Sequence, residues 1–375
     1  MGGSKLKTIC FVTTGDIAAI ATAKRALGLA NPLSDLGWMV HVIMEDTDEN
    51  RHRAAMECDE RVKVHFMSYT SPIDEKNKKS SLLEEIKPDY VYLCAFVFRN
   101  MVSVNFKCKK LVEHSELRSA ITDVSWWRRG YELFSEYYSL VYADGILNAS
   151  VYLQKLNRKR AGRILREKLP MLYFPYAYNG DLCKMVVRKD CVGWEKSDGD
   201  VFVTYLGSLS RAYRTIDIAK AVHRIGRVDI KLLLLGDGDD RQRIQAYVAE
   251  NNLGQQVWMP GYVNEELIPT FFSLTDVFVL PMNDTVQDKA RCPSKLYMYL
   301  PYGKPIVTAK VGEPYEVLKD NGIYYATGSV DDLSRAILTA LSKKTLGLDS
   351  RCHEWTERAK QFDEWIKRSF GQAGI

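Results

Sequence analysis

The residues best suited to chemistry lie in one short segment around position 294. Arg291 and Lys295 flank Pro293-Ser294, a pair typical of a helix start because proline suits the first turn and serine can cap free amides. Leu296 belongs to a short apolar face, and Gly303 ends the predicted helix. A helix N-terminus between two cations favours an anion. The same residues also fit an ordinary helix-turn-strand connection, so the anion site is one of two interpretations.

The segments on either side alternate between strand and helix patterns. In the first half, β-rich runs begin at positions 8, 39, 62, 90, 145 and 172. After residues 186–200, which lose this pattern, such runs begin again at positions 201, 230, 257, 277, 306 and 323. Strands that alternate with helices predict parallel, doubly wound sheets with ligands at the carboxyl ends of the strands. We therefore expect an α/β protein with two Rossmann-like domains facing a central cleft.

The predicted organisation has four parts. The first domain covers residues 1–185, a linker covers 186–200, the second domain covers 201–345, and helices cover 346–375. The last helix carries an apolar stripe formed by Trp355, Phe362, Trp365, Ile366 and Phe370. Since an apolar stripe needs a surface to cover, we expect this helix to cross back to the first domain.

Composition narrows the class of protein. A hydrophobic content of 46% and a charged content of 26% are typical of soluble globular chains. The net charge of +5 is mild and no nucleic-acid-binding motif is present, so we expect no nucleic-acid partner. The eight cysteines lack CxxC or metal-ligand spacing, which indicates reduced thiols in a cytoplasmic protein. No apolar run approaches the roughly 20 residues of a membrane span.

The segment from Trp126 to Val141 is both aromatic and basic, beginning Trp-Trp-Arg-Arg. One interpretation is a helix that docks to an anionic membrane surface. The other is an amphipathic helix that packs on the sheet. We favour packing for Phe134, Tyr138 and Val141, and leave both interpretations open for the Trp-Arg cluster.

Six motifs of the second half follow one another in a fixed order, at residues 205–210, 234–238, 260–267, 275–281, 293–307 and 312–316. Together they resemble the retaining GT-B glycosyltransferases, in particular glycosyltransferase family four. The first half is similar more loosely, through Glu113-His114 and residues 143–152. The resemblance assigns nucleotide-sugar binding to the second domain and the acceptor to the first.

The resemblance implies a retaining transferase that moves a sugar from a nucleotide-diphosphate donor to a glycan or lipid-linked acceptor. Surface polysaccharide or glycolipid assembly is the implied setting, in the cytoplasm or at the inner face of the membrane. No Asp-x-Asp motif suggests a metal-bound diphosphate, so we expect a metal-independent enzyme without a cofactor. A GT-B epimerase of the nucleotide sugar and a catalytically lapsed sugar-nucleotide-binding protein are the alternatives.

Three catalytic candidates follow from the resemblance. His114, expected in a loop after a strand, would organise the reacting sugar, while Arg211 and Lys295 would neutralise the leaving diphosphate. Family members carry cations where this chain has Ser208 and Tyr213, so Arg211 and Arg214 are displaced substitutes. The predicted donor-binding residues are Gly15, Gly207, Ser208, Arg214, Gly236, Tyr262, Val263, Arg291, Ser294, Leu296, Glu313 and Glu316.

One departure from the family concerns a pair of glutamates. The resemblance places the glutamate near the transferred sugar at Ala290 and the ribose-binding glutamate at Met298, and neither residue is acidic. The nearby carboxylates that could take over part of this role are Asp284, Asp288, Glu313 and Glu316. The departure supports the alternative of an altered donor or of lapsed catalysis.

Overall fold

The computed structural model describes residues 6–18, 22–121, 124–180, 183 and 197–371. The chain forms two compact units. The first comprises Met1–Ala177, Ala290–Cys292 and Cys352–Ile375, and the second comprises Tyr178–Lys289 and Pro293–Arg351. Residues 186–196 of the predicted linker lie outside the described residues.

Each unit contains one parallel sheet. The first unit has β1 to β7 in the order β3-β2-β1-β4-β5-β6-β7, with the bounds Thr8–Val12, Met39–Glu45, Lys63–Met67, Tyr90–Leu93, Lys109–His114, Gly145–Asn148 and Met171–Tyr173. The second unit has β8 to β13 in the order β10-β9-β8-β11-β12-β13, with the bounds Val201–Leu206, Ile230–Leu235, Val257–Gly261, Val277–Leu280, Ile306–Thr308 and Ile323–Tyr324. The predicted pair of doubly wound α/β domains is confirmed.

Thirteen α-helices of the described residues connect or cover the strands. In chain order, α1 to α13 have the bounds Thr22–Asp35, Asp48–Glu57, Pro72–Ile86, Trp126–Tyr142, Val151–Arg163, Ile216–Ile225, Arg241–Glu250, Ile268–Leu274, Val286–Ala290, Ser294–Tyr299, Gly312–Leu318, Val330–Lys343 and Trp355–Phe370. Within the described ranges, no helix is both long enough and apolar enough to cross a bilayer. The cysteines that the structure describes are free thiols.

Alternate residues of the strands supply the two faces of each sheet. In β1, Ile9 and Phe11 face one apolar cluster of the first unit, and Cys10 and Val12 face the other. In the second unit, the equivalent cluster gathers strand residues such as Val203 with residues of α6 and α12. Both faces are buried because helices cover them, which is why these strands are continuous apolar runs in the sequence.

The C-terminal helix belongs to the first unit, as the apolar stripe predicted. Trp355, Phe362 and Trp365 of α13 lie in the same buried cluster as Leu27 of α1. Gly28 allows the close approach of the two helices, because a Cβ atom there would lie 2.3 Å from the indole of Trp355. The crossing of the last helix back to the first domain is confirmed.

Helix α4 contradicts one sequence prediction. Phe134, Tyr138 and Val141, which we expected to pack on the sheet, are all exposed. The helix instead turns Glu132 and Ser139 toward the interior, where hydrogen-bonding partners are available. Apolar periodicity identified the helix, but it did not show which face is buried.

Candidate functional site

In the second unit, the strand order reverses between β8 and β11, and such a reversal opens a crevice at the carboxyl ends of the strands. Gly207 follows β8 with φ of 131°, and Gly236 follows β9 with φ of 141°, both outside the range that side-chain-bearing residues adopt readily. A Cβ atom on Gly236 would lie 2.1 Å from the carbonyl oxygen of Gly207. Glycine is therefore required where these two predicted donor loops touch.

Lys295 lies against the first of these loops. A Cβ atom on Gly207 would lie 2.4 Å from the Lys295 Nζ. The Lys295 Nζ donates to the Tyr205 hydroxyl at 3.0 Å, and this hydroxyl donates to the Ser208 carbonyl oxygen at 2.8 Å. Lys295 also lies 4.2 Å from the centre of the Tyr205 ring. The structure thus brings Lys295, Gly207 and Ser208 together, and Tyr205 is a member of this group that sequence reasoning missed.

The two displaced arginines point to different carboxylates. The Arg211 Nε lies 3.8 Å from an oxygen of the buried Asp240, at the start of α7. The Arg214 Nε donates to Asp217 at 2.7 Å, and its NH2 group lies 3.5 Å from the Gly328 carbonyl oxygen. Both guanidinium groups are substantially exposed. An incoming diphosphate would have to compete with these carboxylates for either cation.

The turn predicted to receive the base connects directly to the second glycine loop. The Gly236 N–H donates to the Gly261 carbonyl oxygen at 2.8 Å, at the end of β10. Tyr262 follows with 64% of its surface exposed, whereas Val263 is buried. The turn therefore places the Tyr262 side chain at the surface and the Val263 side chain in the interior.

Helix α10 begins differently from the sequence prediction. Pro293 occupies the N-cap position of α10, and no side chain caps this helix. The prediction that Ser294 caps it is therefore wrong. Ser294 is already the first helical residue, and a hydroxyl there is past the position that caps the amides of the first turn. Leu296 is fully buried, and Met298 is half-buried.

Two of the candidate substitute carboxylates, Glu313 and Glu316, have different environments. Glu313 is 1% exposed and accepts a hydrogen bond from the Tyr297 hydroxyl at 3.1 Å. Glu316 is half-buried and pairs with Lys319 one turn further along the chain. Arg291 belongs to the segment Ala290–Cys292, which clusters with the first unit, and its side chain is half-buried.

The first unit has its own site at the equivalent reversal, between β1 and β4. A pocket of about 270 Å³ opens at the carboxyl ends of β1, β4 and β5, near the lower end of the range of small-molecule sites. Its lining combines hydroxyl, cationic and carboxylate groups, including Thr14, Thr22, Arg99, His114, Glu116, Arg118, Glu132 and Ser135. Except for His114, sequence reasoning missed these residues, since they come from loops and helices that are far apart in the chain. Gly15 directly follows the lining residue Thr14, and its carbonyl oxygen accepts from Asn50.

His114 is the last residue of β5, rather than part of the following loop. Its Nε2 lies 2.8 Å from the Ser139 hydroxyl, which itself donates to the Glu136 carbonyl oxygen at 2.7 Å. Because that hydroxyl has only one hydrogen, Nε2 donates to it and Nδ1 is left as an acceptor. Burial and the nearby charge of Arg160 lower the pKa of His114 to about 4, so the ring is neutral near pH 7.

Ion pairs hold two of the carboxylates that line this pocket, Glu113 and Glu132. Arg25 lies 2.8 Å from Glu113, and the Tyr92 hydroxyl donates to the same carboxylate at 3.0 Å. Arg118 binds Glu132 through two hydrogen bonds of 2.9 and 3.0 Å. Buried or partly buried pairs of this kind hold side chains in one geometry, as a preformed site requires.

The chain is similar to known proteins in sequence over part of its length and in fold over nearly all of it. Residues 188–362 match the family model of glycosyl transferases group 1. No curated protein sequence matches the chain significantly.

The whole fold is similar to several solved structures. Sucrose-phosphate synthase from Thermosynechococcus elongatus is 18% identical with a TM-score of 0.75, over 98% of this chain and 100% of that one. The Anabaena protein Alr3699/HepE in complex with UDP and glucose is 14% identical with a TM-score of 0.72, over 96% and 100% of the two chains. A glycosyltransferase from Rickettsia africae is 12% identical with a TM-score of 0.73, over 99% and 100%. At these identities the likeness shows the fold, which is that of the GT-B glycosyltransferases.

Proposed function

We propose, from the group 1 glycosyltransferase match over residues 188–362 and the GT-B fold of the chain, that this protein is a retaining hexosyltransferase. The donor is a nucleotide-diphosphate sugar, and the acceptor is a glycan or a lipid-linked saccharide. The observation that carries the proposal is the contact of Lys295 with the glycine loop after β8. A diphosphate leaving group gains negative charge in the transition state, and a fixed ammonium beside a glycine turn stabilises that charge.

The second unit binds the donor. Gly207 and Gly236 bring backbone close to the phosphates, and the exposed Tyr262 ring stacks on the base. The complex of Alr3699/HepE with UDP and glucose supports a uridine nucleotide as the first donor to test. Cationic side chains neutralise the diphosphate, so the reaction needs no metal ion.

The first unit binds the acceptor in the pocket beside His114. The mixture of hydroxyl, carboxylate and guanidinium groups suits a polyhydroxylated ligand, because sugar hydroxyls both donate and accept hydrogen bonds. The neutral His114 ring presents Nδ1 as an acceptor for one such hydroxyl. Polysaccharide or glycolipid assembly is the proposed setting.

The experiment begins with a thermal-shift screen of UDP, GDP, ADP and dTDP, since a bound nucleotide stabilises the folded state. Donor sugars of the stabilising base are then incubated with and without EDTA, and the products are followed by NMR. From an α-linked donor, we expect either the free sugar to be released as the α-anomer or the transferred sugar to be α-linked to the acceptor. The rates should be unaffected by EDTA.

Three results would contradict the proposal. Isomerised donor in the absence of acceptor would indicate an epimerase. Nucleotide-dependent stabilisation without any product would indicate a lapsed sugar-nucleotide-binding protein. Inverted configuration at the anomeric carbon would exclude a retaining mechanism.

A further inference from the structure

Helix α4 has the reverse of the usual burial pattern. Its buried positions are Glu132, Ser135, Glu136, Ser139 and Leu140, and Leu140 is the one apolar residue among them. Its exposed positions are predominantly apolar, with Trp126 at 85%, Phe134 at 66% and Val141 at 56% exposure. A helix on the surface of a soluble domain normally turns its apolar stripe inward. The outward apolar stripe of α4 is therefore unexplained by packing within the unit.

The inward polar face has a clear role, because it serves the pocket. Glu132 binds Arg118, and Ser139 accepts from His114. Glu136 pairs with Arg160 at 2.9 Å and accepts from Ser119. These bonds satisfy the buried polar groups, but they place no requirement on the opposite face.

The outer face is predominantly aromatic. We define the α4 face as Trp126, Trp127, Tyr131, Phe134, Tyr138 and Val141. Phe134 and Tyr138 stack in parallel with ring centres 6.0 Å apart, and Tyr138 also contacts Tyr142 at 6.3 Å. Tryptophan and tyrosine are enriched at membrane interfaces because each combines an apolar ring with a polar group. Contiguous exposed apolar surface of this kind marks an interaction site.

Cations border the α4 face. Arg128 and Arg129 lie in its first turn, and both are exposed. The neighbouring helix α5 carries an exposed stripe at helical spacing, formed by Lys155, Arg158, Lys159 and Arg163. Arg163 donates to the Tyr137 hydroxyl of α4 at 3.2 Å, which joins the basic stripe to the aromatic helix. Residues 151–168 contain one carboxylate, Glu167, among the cations.

We propose that the α4 face and the basic stripe of α5 dock on the surface of an anionic lipid bilayer. The aromatic rings enter the headgroup region, and the lysines and arginines contact the acidic headgroups. Charge complementarity selects the bilayer over a second copy of this chain, because a symmetric contact would bring like-charged borders together. The inference is independent of the donor chemistry proposed above, since it rests on α4 and α5 alone.

The test is sedimentation of the full-length protein with vesicles of phosphatidylcholine, with or without phosphatidylglycerol. We expect binding only to the anionic vesicles, and a steep decrease with salt. The double variant Trp126→Glu/Phe134→Glu removes the apolar insertion and should lower the partition coefficient about 100-fold. The triple variant Lys155→Gln/Arg158→Gln/Lys159→Gln should lower it by a similar factor, about fivefold for each cation.

Matched controls lie on the second unit. Val228→Glu/Leu338→Glu changes two exposed apolar residues, and Arg335→Gln/Lys343→Gln/Lys344→Gln removes three exposed cations. Both controls should bind vesicles as the unmodified protein does, and thermal unfolding should show that every variant is folded. Absence of binding by the unmodified protein, or equal binding by test and control variants, overturns the proposal. A dimer in light scattering that Trp126→Glu/Phe134→Glu converts to a monomer would identify the face as a contact between copies, and would overturn it too.

Discussion

The Lys295 ammonium donates a 3.0 Å hydrogen bond to the Tyr205 hydroxyl and lies 4.2 Å from the centre of the same ring. The two residues are 90 positions apart in the chain. Lys295 belongs to the short helix α10. Tyr205 thereby holds the Lys295 ammonium beside the glycine loop that follows β8. A cation fixed in this way needs little reorganisation when negative charge develops next to it, which is the basis of electrostatic catalysis.

Replacement of Lys295 by alanine should remove this charge. We expect kcat/KM to fall by about 100- to 1,000-fold with the donor identified by the thermal-shift screen, while Lys295→Arg retains part of the activity. Steady-state kinetics of donor turnover measures both variants. The control is Lys289→Ala, a half-buried lysine of the same unit paired with Asp284. Equal activity of Lys295→Ala and this control would exclude Lys295 from the site.

Gly207→Ala should damage both stability and donor binding. The added methyl group would lie 2.4 Å from the Lys295 Nζ, and φ of 131° is strained for alanine. We expect a loss of about 1–3 kcal/mol in the free energy of unfolding, measured by chemical denaturation, and a smaller thermal shift with nucleotide. Gly254→Ala is the control, since a Cβ atom there meets nothing within 4 Å. A fully stable Gly207→Ala protein would show that the loop adapts.

Met298→Glu would restore the carboxylate that the family resemblance assigns to ribose binding. If the donor's ribose lies beside this half-buried position, the variant should bind UDP about tenfold more tightly, with a smaller gain for dUDP. Isothermal titration calorimetry measures both affinities. The control Met259→Glu changes a half-buried methionine of β10 in the same unit. Unchanged affinity for UDP, or an equal gain in affinity for UDP and dUDP, would place the ribose elsewhere.

His114 should make the fold sensitive to acid. The unfolded state binds a proton at the ordinary pKa of 6.5, but the folded state does so only near 4. The unfolded state therefore binds more protons within this window, and stability falls as the pH decreases from about 6.5 to about 4. The contribution of His114 is at most about 3 kcal/mol.

Denaturation of His114→Gln at several pH values tests this expectation. The variant should lose less stability on acidification than the unmodified protein, whereas exposed His52→Gln should follow the unmodified protein. Burial also lowers the pKa of His41 and of His353 to about 4. Part of the pH dependence of stability should therefore persist in His114→Gln. Identical pH profiles for His114→Gln and the unmodified protein would show that His114 does not contribute.

Phe362→Ala tests the role of the C-terminal helix in the first unit. Phe362 is fully buried and contacts Trp38, Tyr92 and Phe174. Loss of the ring should reduce the free energy of unfolding by about 3–5 kcal/mol, as large cavities in cores do. Chemical denaturation measures the loss, and Phe98→Ala, at a ring that is 44% exposed, should cost far less. A loss of stability for Phe362→Ala that is as small as the loss for Phe98→Ala would mean that α13 is not part of the cooperative core.

The sequence by itself determined the two parallel sheets and the return of the last helix. Apolar runs such as Val201–Leu206 predict buried parallel strands because both faces must exclude water, and the stripe from Trp355 to Phe370 requires a covering surface. The ordered motifs of the second half also predicted the glycine loops at Gly207 and Gly236. These features depend on short stretches of chain, in which residue type and spacing carry the information.

Only the tertiary structure decided which side chains meet. Lys295 joins Tyr205, Arg211 and Arg214 separate toward Asp240 and Asp217, and Ser139 fixes the tautomer of His114. The spacing along α4 predicted a two-sided helix, but its apolar side faces outward because the interior supplies partners for its polar side. Such contacts depend on packing between residues distant in the chain, and that packing orders the pocket beside His114 as well as the loop beside Lys295.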